Sequence, residues 1–394
     1  MKVIRDPIHD YIELDELALA LVDTPEVQRL RRIRQLGFSN LVYPGANHTR
    51  FEHSLGTYHL AKHLVKYVDE LKRDELLAAS LLHDIGHGPF SHATEELIVR
   101  YTRKSHDNVE GLLRKGVISD VLKDFSLSPS NIAGHIKGET YPGQIINSEI
   151  DVDRMDYLVR DAHYTGVAFG LIDHVRLIHE LGFKENKLVL NLGGLQAAES
   201  LLVSRFLMHP TVYFHHVSRI AEAMCAHAAE YMIENGLSPE SFQRMDDVAF
   251  MNEMKNAGGY ASDIAKRLDE RKLYKRALYT DIDSLGIDAI KLRNNIRRIE
   301  IEIAENAGVK PEDVLVDIPE MPEIAEMKAQ VLINGKLIPI DKASSIVAAL
   351  GKAQLDNWRL GVFTPPEYRE KVGAAARKFF EVKKDIKQFK LTEL

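Results

Sequence analysis

The fold of this chain is decided by residues 83–92, which read His83-Asp84-Ile85-Gly86-His87-Gly88-Pro89-Phe90-Ser91-His92. The apolar run 76–82 before them predicts a helix that ends in the core and brings His83 and Asp84 to its buried end. Such polar side chains are costly to bury unless a metal or an anion occupies the site. Imidazole and carboxylate together suit a divalent cation, and the glycines allow a close approach of backbone and ligand. The alternative is a helix end with exposed histidines.

Two other segments supply residues of the same kind. Residues 50–56 open a predicted helix that carries His53, and residues 148–161 mix acidic with apolar side chains. On a helix, Asp153, Asp156 and Tyr157 share one face, and Asp161 follows one turn later. An ordinary amphipathic helix is the alternative for this second segment.

Together the three segments offer two imidazoles and two carboxylates, from His53, His83, Asp84 and Asp153. This set would leave open positions on a metal, where water and a phosphate oxygen can bind. Further along the helix that carries His53, His59 and His63 lie one turn apart, but no third ligand has matching spacing. We interpret these two histidines as surface or packing residues.

Composition limits the classes of function. The 394 residues carry a formal charge of −7 and a single cysteine, so a disulfide framework or a thiolate metal site is excluded. No apolar run approaches the roughly 20 residues of a membrane span, and the N-terminus lacks the apolar segment of a signal peptide. We therefore expect a cytoplasmic protein that binds neither membrane nor nucleic acid. The basic run 28–34 fits either a solvated helix face or a phosphate-binding face.

The sequence predicts a mainly α fold with small β-hairpins and an α+β C-terminal region. Residues 1–15 read as short strands, and a helix should begin at Asp23-Thr24-Pro25-Glu26, with Pro25 in its first turn. Long helices are expected near 195–208 and 211–235, and helices in the C-terminal region near 283–307 and 366–382. Asn334-Gly335 predicts the turn of a hairpin. We divide the chain into a core (1–180), a helical extension that completes the site (181–270) and a C-terminal region for assembly contacts (271–394).

The motifs resemble those of HD-domain phosphohydrolases, and in particular the sterile-alpha-motif/HD type of deoxynucleoside triphosphate triphosphohydrolase, without the sterile-alpha-motif domain. The resemblance is strong over about residues 1–235. The segments that carry it are 6–9, 23–25, 35–37, 50–56, 83–92 and 151–161.

The resemblance implies a role for each matching residue. The metal ligands would be His53, His83, Asp84 and Asp153, and the catalytic residues His106, Asp107 and His87. The substrate would contact Gln35, Leu36, Arg50, His87, His92, Arg154, Tyr157, Asp161, Arg205, His209 and Tyr213. Among these, Asp161 would take the 3′-hydroxyl group, while Tyr213 and Leu36 would crowd the 2′ position against ribose.

Three positions depart from the family pattern. Arg154 replaces a lysine, which keeps the charge but changes the geometry of phosphate binding. Asp107 replaces a glutamate, which shortens the reach of the carboxylate. Phe214 replaces a glutamine on the base side, which favours stacking over hydrogen bonding and leaves the base preference open.

The resemblance also implies regulation and assembly. Asp23, Gln28 and Arg31 match in type and spacing the residues that read guanine at an activator site between subunits, so GTP or dGTP is an expected effector of a homo-dimer or homo-tetramer. A helix cap with surface charges is the alternative.

The expected reaction is metal-dependent hydrolysis of deoxynucleoside triphosphates to deoxynucleoside and inorganic triphosphate. The metal would be Mg or Mn for activity, with Fe, Zn or Ni as other ions that the site accepts. The rivals are another nucleotide phosphohydrolase of the same fold, either a nucleotidase or a phosphodiesterase, and a nucleotide-binding sensor.

Overall fold

The structure is a computed structural model that describes residues 2–321 and 329–383, and it is mainly helical, as predicted. The helices are α1 (Glu16–Val22), α2 (Pro25–Arg29), α3 (Arg50–Leu64), α4 (Glu70–Leu82), α5 (Ser91–Thr102), α6 (Glu110–Leu113), α7 (Gly116–Asp124), α8 (Pro129–Ile136), α9 (Val152–Thr165), α10 (His174–Glu180), α11 (Leu195–Met208), α12 (His216–Glu234), α13 (Pro239–Gln243), α14 (Asp247–Asn256), α15 (Gly259–Asp269), α16 (Ala289–Leu292), α17 (Ile296–Ala307), α18 (Ile340–Ala343), α19 (Ser345–Ala353) and α20 (Arg369–Phe379). The strands are β1 (Lys2–Asp6), β2 (Asp10–Leu14), β3 (Leu181–Lys184), β4 (Lys187–Asn191), β5 (Lys275–Thr280), β6 (Leu315–Asp317), β7 (Gln330–Ile333), β8 (Lys336–Pro339) and β9 (Leu360–Thr364).

The strands form three small sheets. β1 and β2 make an N-terminal hairpin, and β5, β9 and β6 form a three-stranded antiparallel sheet. The third sheet has the order β3-β4-β7-β8, and its hairpin turn is the predicted Asn334-Gly335. Because β4 pairs in parallel with β7, this sheet joins the middle of the chain to the C-terminal region.

Helix α4 brings the decisive stretch into the core. All of residues 75–82 are buried, and α4 packs against α3 and α8, while α3 also packs against α9. His83 follows directly as the C-terminal cap of α4. The predicted helix therefore ends, as expected, inside the protein.

The buried apolar side chains form three clusters. The first joins the N-terminal half of the chain to Val331, Ile340 and Val347, the second surrounds α12, α14 and α15, and the third lies under β5, β6 and β9. The division into three domains stays a prediction. Within the described residues, no helix is long and apolar enough to cross a membrane.

Several predicted boundaries are corrected. The N-cap of α2 is Thr24, whose hydroxyl oxygen accepts from the backbone N–H of Val27, and Asp23 instead caps the C-terminus of α1. Helix α1 was not predicted because it is only seven residues long. Residues 209–213 form a π-helical turn, so α12 begins at His216 rather than at 211. In the C-terminal region, α17 begins at Ile296, later than the predicted 283.

Candidate metal and nucleotide site

Four predicted ligands meet where three helices pack. His53 lies in the first turn of α3, His83 and Asp84 follow α4, and Asp153 lies in the first turn of α9. Ligand atoms of His53, His83 and Asp84 all lie within 4.8 Å of one another. Oδ1 of Asp153 is 2.8 Å from Nε2 of His53 and 3.7 Å from Nε2 of His83.

The hydrogen bonds of the two imidazoles fix their tautomers. Nδ1 of His83 donates to the carbonyl oxygen of Ser80 at 2.8 Å, and Nδ1 of His53 donates to the carboxylate of Asp156 at 2.7 Å. When both rings are neutral, the Nε2 atoms therefore carry the lone pairs and face each other at 3.1 Å, beside a carboxylate. This convergence of electron pairs fits a divalent cation.

A proton on His53 competes with such a cation. Burial lowers the pKa of the His53 imidazole, but its hydrogen bonds to Asp153 and Asp156 outweigh burial and raise the pKa to about 10. A metal ion held at Nε2 of His53 would therefore have to displace a proton at neutral pH.

A buried network behind the ligands holds His53 in place. Asp156 is fully buried and also accepts from Nε2 of His9, at 2.6 Å, and from two nitrogens of Arg160, at 2.9 Å each. Arg160 bonds in turn to Asp6. Burial opposes the charge on Asp156, but Arg160 and the two histidines outweigh it and hold the pKa of this carboxyl well below its usual range.

A cavity of about 460 Å³ opens next to this cluster. Its lining includes all the side chains predicted to bind metal or substrate or to act in catalysis, namely Gln35, Leu36, Arg50, His53, His83, Asp84, His87, His92, His106, Asp107, Asp153, Arg154, Tyr157, Asp161, Arg205, His209 and Tyr213. The structure thus brings together residues that the sequence spreads over nearly 180 positions.

Arginines supply the positive charge of the cavity. Arg50 is buried and donates to Asp84 at 2.8 Å and to the hydroxyl of Ser91. Arg154 donates to Asp151 and to a backbone carbonyl group, and Arg205 also lines the cavity. By contrast, burial lowers the pKa of His92 to about 4 and that of His87 well below its usual range, so these two imidazoles offer hydrogen bonds rather than charge.

A stacked pair of imidazoles lies beside the cluster. The rings of His87 and His106 are 4.1 Å apart and nearly parallel, and Nδ1 of His106 is 3.0 Å from Oε1 of Glu95. Burial lowers the pKa of His106, but the hydrogen bond and the charge of Glu95 outweigh it and raise the pKa above its usual value. Asp107, the predicted partner of His106, bonds instead to the hydroxyl of Ser105.

Comparison with known protein families matches residues 50–161 to the HD domain and residues 172–391 to the HD associated region. The chain belongs to the HD-domain phosphohydrolase family. HD domains are metal-dependent, which agrees with the His/Asp cluster described above.

The relatives of this HD protein include characterised and uncharacterised chains. It is 37% identical over 380 residues to an uncharacterised protein of Methanocaldococcus jannaschii, covering 93% of this chain and 80% of the relative. It is 30% identical over 400 residues to the deoxynucleoside triphosphate triphosphohydrolase SAMHD1 of Bos taurus, covering 82% of this chain and 67% of that protein. A crystal structure of a phosphohydrolase from Bacteroides thetaiotaomicron superimposes with a TM-score of 0.72 at 26% identity, over 92% of this chain and 99% of that one.

The cavity lining of this HD protein also includes polar and aromatic side chains. The hydroxyl of Tyr213 donates to Oδ2 of Asp161 at 2.9 Å, and His48 bonds to Oδ1 of the same carboxylate at 2.7 Å. The ring of Phe214 stacks on that of His209, with 5.3 Å between the centroids. Asp161 is thus held by two partners and is buried.

The three predicted effector residues lie together, away from the cavity lining. Nε of Arg31 donates to the side chain of Gln28 at 2.8 Å, and Gln28 donates to the carbonyl oxygen of Val22, next to Asp23. The guanidinium of Arg31 packs over the ring of Phe51. Asp23 and Arg31 are exposed.

Some site residues were missed by the sequence analysis. Glu95 had no signal of its own, because it stands in an ordinary amphipathic helix. His9 and Asp6 lie in a segment that carried the family resemblance, but nothing local indicated that they support His53. Asp156 shared a face with Asp153, which was the one usable signal.

Proposed function

We propose that this HD protein hydrolyses deoxynucleoside triphosphates at the α-phosphorus, releasing deoxynucleoside and inorganic triphosphate. The observation that supports this proposal most strongly is the single cavity that joins the His/Asp cluster to three arginines, Arg50, Arg154 and Arg205. One phosphate group does not need so many cationic partners, whereas a triphosphate does. The 30% identity to the deoxynucleoside triphosphate triphosphohydrolase SAMHD1 also supports this proposal.

The cluster residues His53, His83, Asp84 and Asp153 would hold the metal ion. A bound divalent ion supplies Lewis acidity toward a phosphate oxygen and an attacking water. The guanidinium groups neutralise charge that develops on the phosphate oxygens, and Arg50 is already fixed by Asp84 and Ser91.

His106 would handle the proton of the leaving group. As water adds to the α-phosphorus, the bond from phosphorus to the 5′ oxygen breaks, and this oxygen requires a proton. Glu95 keeps His106 protonated at higher pH than an isolated imidazole, so His106 suits the role of general acid.

Asp161 and Tyr213 would select the sugar. The carboxylate of Asp161, which lines the cavity, would accept from the 3′-hydroxyl group. Because Tyr213 is anchored to Asp161 at 2.9 Å, its ring cannot easily move aside for a 2′-hydroxyl group. This arrangement favours deoxyribose over ribose.

The exposed group Asp23, Gln28 and Arg31 would bind a guanine nucleotide in an interface between copies of the chain. A carboxylate and a guanidinium offer the acceptors and donors that match those of guanine. If the proposal holds, GTP or dGTP raises the turnover rate and shifts the oligomeric state, and Arg31→Ala abolishes both effects. If GTP neither binds a His83→Ala variant nor changes the rate, no effector site exists here.

Product analysis tests the reaction. The purified protein is incubated with Mg²⁺ or Mn²⁺ and each deoxynucleoside triphosphate, with and without GTP, and the products are separated. We expect deoxynucleoside and triphosphate, lost in His83→Ala and retained in His63→Ala, a histidine on α3 outside the cavity lining. Stepwise release of orthophosphate would instead indicate a nucleotidase, and binding without turnover would indicate a sensor.

A further inference from the structure

A charged pair on the wall of the cavity has no role in the chemistry described above. Arg219 and Glu222 stand one turn apart on α12 and both line the cavity. Glu222 is only 6% exposed. Three arginines and the His/Asp cluster are already assigned to the triphosphate. We therefore expect the fourth guanidinium, which is paired with a carboxylate, to contact a different part of the substrate.

Hydrogen bonds to two carboxylates fix the guanidinium group of Arg219. Its Nε donates to Oδ2 of Asp317 at 3.0 Å, and Nη2 donates to the other oxygen of the same carboxylate. Nη1 donates to Glu222 at 3.2 Å. A guanidinium has five N–H groups, so two remain, one on each terminal nitrogen, that have no partner among the described residues.

Aromatic rings lie next to this pair. The guanidinium of Arg219 is 5.2 Å from the centroid of Phe214, whose other neighbour is the parallel ring of His209. The hydroxyl groups of Ser218 and Ser39, 3.2 Å apart, join the start of α12 to Ser39, which lines the cavity. A planar ligand in this part of the cavity would therefore meet aromatic rings and the charged pair together.

We propose that Arg219 and Glu222 read the base of the substrate and select guanine. This inference rests on the proposed function and names the substrate within it. Guanine offers the acceptors O6 and N7 to a guanidinium, and the neighbouring donors N1–H and N2–H to a carboxylate. Adenine and cytosine present an amino donor where guanine has O6, and thymine presents an acceptor where guanine has its 2-amino group.

Substrate analogues test the assignment without altering the protein. We compare kcat/KM for dGTP, 7-deaza-dGTP, dITP and dATP, with saturating GTP in every assay so that the proposed effector site is occupied throughout. Loss of N7 removes an acceptor for Arg219, and dITP lacks the 2-amino donor for Glu222. We expect dGTP to be best, each of the two analogues to be about tenfold poorer, and dATP to be poorest. Equal values for dGTP and dATP would overturn the proposal.

Two variants link the preference to these residues. Arg219→Lys and Glu222→Gln should each reduce the ratio of kcat/KM between dGTP and dATP by about tenfold. Arg293→Lys is the matched control, because Arg293 also pairs with two carboxylates and has similar exposure, 21% against 23%, but does not line the cavity. A dGTP preference that persists in both site variants would overturn the assignment.

The failure of this inference is distinguishable from failure of the proposed reaction. If all four deoxynucleoside triphosphates are cleaved equally to triphosphate, the proposed reaction is supported and the assignment of Arg219 and Glu222 to guanine is rejected. If none is cleaved, the proposed reaction is rejected, and the base assignment is then decided by equilibrium binding of dGTP and dATP to an Arg31→Ala variant, which lacks the proposed effector site. Tighter binding of dGTP supports it, and equal binding rejects it.

Discussion

Nε2 of His53 and Nε2 of His83 lie 3.1 Å apart, and each ring is oriented by an acceptor on its other nitrogen. Two imidazole lone pairs at this distance repel each other unless a cation or a proton lies between them. The groups behind the rings thus hold both Nε2 atoms in an arrangement that could bind a metal ion. The carboxylate of Asp156 orients the ring of His53, and the carbonyl group of Ser80 orients the ring of His83.

Replacing Asp156 by Asn should weaken metal binding by about 10- to 100-fold, because His53 loses the carboxylate that sets its tautomer and raises its basicity. Isothermal titration with Mn²⁺ measures the change in Kd. Asp173→Asn, at the exposed N-cap of α10, is the control and should bind as the wild type does. An unchanged Kd in Asp156→Asn would contradict the supporting role of this network.

Gly86 should be intolerant of any side chain. A Cβ atom at this position would lie 1.9 Å from the carbonyl oxygen of His106, so Gly86→Ala must displace the segment that carries His106. We expect turnover to fall strongly while the Kd for metal stays unchanged. Gly111→Ala, where a Cβ would meet nothing within 4 Å, should retain turnover. Full activity of Gly86→Ala would show that the position of His106 does not matter.

The pH dependence of kcat/KM should depend on Glu95. Its carboxylate raises the pKa of His106, so the protonated imidazole persists to higher pH and activity falls as the pH rises through that pKa. Glu95→Gln removes the negative charge, lowers the pKa of His106 and should move the alkaline limb of the profile to lower pH. An alkaline limb that stays in place would exclude His106 as the general acid.

Arg160 should be a large contributor to stability. It is fully buried between Asp156 and Asp6, and Arg160→Met leaves two buried carboxylates without their cation, which costs about 3–5 kcal/mol. The free energy of unfolding in urea measures this cost. Arg5→Met breaks an exposed pair with Asp10 and should cost less than about 1 kcal/mol. Equal costs for the two variants would contradict the importance of burial.

The sequence predicted the site where chemistry and spacing coincide. His83-Asp84 follows a run that is apolar enough to be buried, and His53 and Asp153 stand at helix starts, so local patterns marked them as candidate ligands. Their proximity follows from the packing of α3 against α4 and α9. The partner of His106 was not predictable in this way, because Glu95 reaches it only through the close approach that Gly86 permits.

Long-range contacts account for what the sequence analysis missed. Asp317 anchors Arg219 from a strand 98 positions later, and no local pattern connects them. The sequence favoured Asp23 as the N-cap of α2, because Asp23 and Glu26 have capping-box spacing. In the structure Thr24 is the N-cap instead, because Asp23 is the C-terminal cap of α1. Helix α1 is too short to be recognised from the periodicity of its apolar residues.

The most direct test of the central claim is hydrolysis of dGTP in ¹⁸O-labelled water, followed by mass spectrometry of both products. Attack of water at the α-phosphorus places the label in the inorganic triphosphate and leaves the deoxynucleoside unlabelled, and this is the predicted result. Label in orthophosphate, with dGDP as the other product, would contradict the account, because it would place the attack at the opposite end of the triphosphate.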